Sequence, residues 1–75
     1  MDTTTQKAIV RKLTRDFGFR RGDFEAHTVR DADGGTYVLV RSLYATSSHA
    51  TRLINCLRSA GFNVARVSSR ELEVA

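Results

Sequence analysis

Residues 37–67 read YVLVRSLYATSSHATRLINCLRSAGFNVARV, and this stretch decides the fold. Tyr37, Val38, Leu39 and Val40, with Leu43 and Tyr44 after them, form an apolar run of strand length. Thr46-Ser47-Ser48 supplies side-chain oxygens suited to opening a helix. From Ser47 to Ala60, Ala50, Leu53, Ile54, Cys56, Leu57 and Ala60 fall on one side of the helix. Thr51, Arg52, Asn55, Arg58 and Ser59 line the other. Gly61 stands where a closing helix needs a left-handed residue, and Phe62–Val67 reads as a second strand. A strand-helix-strand connection is expected to be right-handed, with its strands parallel neighbours or separated by one position.

Working outward, Thr4 to Asp16 has helical period. Ile9, Val10, Leu13 and Phe17 make one stripe, while Lys7, Arg11, Lys12 and Arg15 lie opposite. Thr3, Thr4 or Thr5 can cap its start, and Gly18 can end it. Phe24–Arg30 and Thr36–Leu43 read as strands joined by Asp31-Ala32-Asp33-Gly34-Gly35, a strong hairpin signal. Glu25, His27 and Arg30 make the first strand polar, hence an edge, whereas the second, apolar on both faces, is central. After Ser68-Ser69-Arg70, Leu72 and Val74 alternate with Glu71 and Glu73, which suggests a short extra C-terminal strand. The expected fold is α+β, in the order helix-strand-strand-helix-strand with that possible addition. Two helices pack on one face of a three- or four-stranded sheet.

Seventy-five residues suit a single domain spanning 1–75. One cysteine, Cys56, excludes an internal disulfide and fits a reducing, cytoplasmic setting. The polar start carries no apolar leader, and no apolar run nears the roughly 20 residues that span a bilayer, so no membrane partner is expected. Twelve basic residues, ten of them Arg, against eight acidic ones leave +4. Such a surface suits nucleic acid or an acidic protein partner, though arginine also serves simply for solubility.

Chemistry-bearing residues are sparse. His49 and Cys56 share a helix face but stand about 10 Å apart along it, too far for a Cys–His pair. With His27 they lack the paired spacing of a zinc site. Asp31-x-Asp33-Gly34 lacks the later acidic ligands of a calcium loop. Arg21-Gly22-Asp23 spells an integrin tripeptide, which three residues alone do not establish. Neither an enzyme nor a cofactor is expected.

Binding takes two forms. Lys7, Arg11, Lys12, Arg15, Arg20 and Arg21 can contact phosphates, while the aromatic residues look like core rather than base-stacking platforms. The alternative is docking on protein through a sheet edge, either Phe24–Arg30 or the tail, or through an arginine-bearing strand.

Tyr44-Ala45 leading into a helix, followed by Ala60-Gly61-Phe62-x-Val64-x-Arg66-Val67, resembles the small host-RNA-polymerase inhibitors of podovirus-type phages. The resemblance covers residues 44–67. It implies a phage-encoded, non-enzymatic protein that inhibits or regulates a large nucleic-acid-handling host complex by occupying its surface. It also implies that Arg66 contacts the polymerase. Arg52, Arg58 and Arg41 are further partner-binding candidates by their charge, not by the resemblance. The chain departs from that pattern in its basic helices and in Ser68, which stands where the family has a second binding arginine.

Overall fold

A computed structural model describes residues 4–75, so Thr3, one of the proposed caps, lies outside the described residues. The chain runs α1 (Thr4–Arg11), a π-helical continuation (Lys12–Asp16), a 3-10 turn (Arg21–Asp23), β1 (Phe24–Arg30) and β2 (Thr36–Ser42). It continues with α2 (Ser47–Ser59), β3 (Val64–Arg66) and β4 (Glu71–Val74). The fold is α+β, with the helices packed against a four-stranded antiparallel sheet of order β1-β2-β4-β3.

The tail is the sheet's organising strand. Leu72 and Val74 are fully buried, and Glu71 and Glu73 turn to the other face, as the alternation requires. β4 pairs with β2 through Val38↔Val74 and Val40↔Leu72, and with β3 through Val64↔Val74 and Arg66↔Leu72. Both neighbours run against β4, so β2 and β3 run the same way, separated by one position as the crossover anticipates. The tail is therefore no docking edge: the edges are β1 and β3. Each edge is guarded by a helix side chain. The Thr28 N–H donates to Gln6 Oε1 at 2.8 Å, and Arg58 Nη2 donates to the Val64 carbonyl at 2.9 Å. Both contacts use backbone groups that an added strand would need.

One sheet face carries Val38, Val40, Leu72 and Val74 against Ile9 and Leu13 of the first helix and Ala50, Leu53 and Leu57 of α2. Phe19 from the connection and Phe24 from the start of β1 complete this core. The hairpin closes as its glycines foretell: Gly34 N–H donates to the Asp31 carbonyl at 3.0 Å, with Gly34 at φ +86°.

Three local expectations change. Thr46 occupies the N-cap position but its side chain caps no backbone N–H of the helix; instead Ser48 Oγ donates to Thr46 Oγ1 at 3.2 Å. β2 stops at Ser42, leaving Leu43 and Tyr44 exposed in the connection to α2. β3 is shorter than Phe62–Val67. Phe62 is taken by the helix closure, its N–H reaching Leu57 O at 3.1 Å beside Gly61 N–H to Arg58 O at 3.0 Å. Val67 lies in the turn beyond, 52% exposed.

Candidate anion-binding groove

Helix one places Lys7, Arg11 and Arg15 four residues apart, which aligns them along one face at steps of about 6 Å. Thr14 Oγ1 donates to the Val10 carbonyl at 2.8 Å and lies 3.3 Å from that of Arg11, where the helix widens into its π turn. The Phe19 N–H then reaches back to Leu13 O at 2.9 Å, and Gly18 at φ +74° reverses the chain. This return carries the 3-10 turn alongside the helix, and Arg21 meets Lys7, Arg11 and Arg15 around one groove of about 600 Å³. Val10 and Phe24 supply its apolar lining, and Gln6 and Thr14 its neutral polar groups.

Among the described residues none of these four cations has an ion-pair partner. Two like-charged pairs at i,i+4 each cost about 0.2–0.5 kcal/mol, and Arg21 adds a fourth positive charge. The fold gains nothing from this repulsion, whereas a bound polyanion would turn it into attraction. Lys12, on the same helix, is different: its Nζ pairs with Asp16 Oδ2 at 2.7 Å and lies off the groove. Arg20 also stays off the groove, its backbone N–H donating to Asp23 Oδ2 at 3.0 Å.

Of the four arginines singled out for partner binding, three gather along α2 and the β3 edge, and Arg41 stands apart. Arg66 is a latch, donating to the Ser68 and Ser69 carbonyls at 3.4 and 3.0 Å and to Thr51 Oγ1. Arg58 guards β3, and the Arg52 guanidinium sits 5.4 Å over the Phe19 ring. Arg41 belongs to the opposite, uncovered sheet face, in register with Glu25 and Glu71.

A second cluster escaped sequence reasoning. His49 is buried, and its partner is Ser42. Ser42 Oγ and His49 Nδ1 are 2.6 Å apart, and the Tyr44 N–H donates to the same Ser42 oxygen at 3.2 Å. The direction of the Ser42–His49 bond follows the tautomer of the ring. Burial pushes the His49 pKa below the ordinary histidine value. The Asp23 charge opposes that shift, and Arg52 adds to it. The Arg20 N–H and the Tyr44 hydroxyl hold the Asp23 carboxyl below its ordinary range. The same bond, Tyr44 OH to Asp23 Oδ1 at 2.8 Å, raises the Tyr44 pKa. Ser42 has no exposed surface, so it serves the packing and offers no nucleophile.

The clue to this pair lies in strand parity: Ser42 shares the buried side of β2 with Val38 and Val40, and a polar group there needs a partner. Tyr44 also corrects the expectation that exposed aromatics are missing, since it is 49% exposed. Among the described residues no three His, Cys, Asp or Glu side chains come together to hold a metal. No described helix is long and apolar enough to cross a membrane. No family model matches the chain, and no curated protein or solved structure matches it significantly.

Proposed function

We propose that this chain is an arginine-rich nucleic-acid-binding module that grips the phosphate backbone with Lys7, Arg11, Arg15 and Arg21. The convergence on one groove of these four cations, none with an ion-pair partner among the described residues, carries the reading. Steps of about 6 Å along the helix suit neighbouring phosphates of one strand. The donors are sequence-indifferent, so affinity would come from charge and counterion release rather than from base reading.

The second reading is a phage-encoded inhibitor that docks on a large host complex. The exposed Leu43 and Tyr44 favour some contact with a partner. Arg66, Arg58 and Arg52 each already hold a contact within the chain, whereas the groove cations have no ion-pair partner among the described residues. That difference ranks docking below the groove.

The test is fluorescence anisotropy on labelled duplex and single-stranded oligonucleotides over a salt series. Four phosphate contacts predict a slope of log K against log salt of about −3.6 on duplex or about −2.8 on single strands. Between 50 and 200 mM salt that is a loss of about 150-fold or about 50-fold. Arg11→Ala should make the slope shallower by about 0.7–0.9, and Lys12→Ala should leave it nearly unchanged. A salt-independent affinity, or equal effects of the two substitutions, would sink the proposal.

A further inference from the structure

The Tyr44 ring is exposed and yet held still. Its hydroxyl donates to Asp23 Oδ1 at 2.8 Å, its own N–H donates to Ser42 Oγ at 3.2 Å, and its ring lies 4.4 Å from that of His49, tilted by 47°. An exposed tyrosine side chain tied at its hydroxyl and against the His49 ring gains little apolar burial for its lost rotamer freedom. Asp23 in turn is fixed by the Arg20 N–H at 3.0 Å and ends the same three-residue turn that sends Arg21 into the basic groove. Ring and groove are therefore joined by one rigid turn, with Arg21 at one end and Asp23 at the other. Beside the ring opens a cavity of about 450 Å³, lined also by Phe19, His49 and Arg52. Its chemistry is aromatic and cationic, with one carboxylate already engaged.

We infer that Tyr44 is a stacking platform for a base of single-stranded nucleic acid whose backbone lies on the Lys7–Arg11–Arg15–Arg21 groove. The inference rests on the phosphate-binding reading and names its substrate class. Tyrosine faces stack on any base without reading its sequence, and a tethered ring has already lost the freedom that stacking would cost. Bases in a duplex are already stacked on their neighbours, so only an unpaired base can lie on Tyr44. Asp23, acidic and next to the hydroxyl, disfavours a phosphate at this point, so the base rather than the backbone meets the ring. Arg52, held over Phe19, is placed to meet the following stretch of strand.

The chain contains two tyrosines and no tryptophan, so Tyr37→Phe leaves Tyr44 as the sole strong intrinsic emitter. Titrating this variant with a ten-residue oligothymidylate should quench the tyrosine emission over the same concentration range that raises the anisotropy of labelled oligonucleotide. Tyr44→Leu should weaken single-strand binding by about 5- to 150-fold and leave duplex binding and the salt slope unchanged. Binding without quenching, together with full affinity of Tyr44→Leu, overturns the platform and leaves the groove standing. Equal losses on duplex and single strand also overturn it, because Tyr44 would then act by holding the Arg21 turn. Absence of binding to either form at low salt overturns both readings. If Tyr44→Leu fails to melt cooperatively, the quenching experiment, which keeps Tyr44, decides alone.

Discussion

Leu72→Ala tests whether the C-terminal strand holds the sheet together. Leu72 is fully buried and lies in register with Val40 on one side and Arg66 on the other. Truncating such a leucine costs about 2–5 kcal/mol, from lost burial plus the cavity left behind. At about 0.05–0.15 kcal/mol per residue, a chain of this length has only about 4–11 kcal/mol of stability. A loss of about 3 kcal/mol therefore removes a large share of it and lowers Tm by about 12–24 °C. Urea and thermal melts followed by far-ultraviolet circular dichroism measure both quantities. Val67→Ala, at an exposed position in the β3–β4 turn, is the comparison and should stay within about 0.5 kcal/mol. If Leu72→Ala costs less than about 1 kcal/mol, or no more than Val67→Ala, β4 is not the strand that joins β2 to β3.

Two further outcomes are expected. Because burial depresses the His49 pKa, the unfolded chain takes up a proton at a pH where the folded chain does not. Stability is thus complete above about 6.5 and falls as pH drops toward the folded value. Tm should decline between pH 7.5 and 5, and less so in His49→Gln; an identical decline in both proteins would discredit the buried imidazole. Gly61→Ala, at φ +97°, should cost about 1 kcal/mol and about 4–8 °C in Tm, whereas Gly35→Ala, with no positive φ, should cost clearly less.

Much of the candidate groove was legible in the chain, but not its completion. Lys7, Arg11 and Arg15 align by helical period alone, so their shared face follows from spacing. Lys12 has the same charge and differs because Asp16, four residues on, neutralises it, which is also a local relation. Arg21 joins the groove only because the chain turns back at Gly18 and runs beside the helix, a path that spacing does not encode. The resemblance to polymerase inhibitors, carried by the pattern across residues 44–67, assigns the partner contact to Arg66, and sequence alone does not show that Arg66 bonds Thr51, Ser68 and Ser69.

By itself the sequence determined the local features: two amphipathic helices, an Asp-Gly-Gly hairpin, glycine closures at Gly18 and Gly61, and alternation in the tail. These depend on backbone preference and period, which act between residues a few positions apart. Tertiary structure alone decided which strands flank the tail, that Ser42 receives His49, and that Tyr44 is left facing solvent. Alternation states that one face of a strand is buried, but the neighbour on each side is chosen by how the whole apolar surface closes. Stretch 37–67 supplies one part of the core, and β4, from outside it, helps complete that core by entering between its two strands.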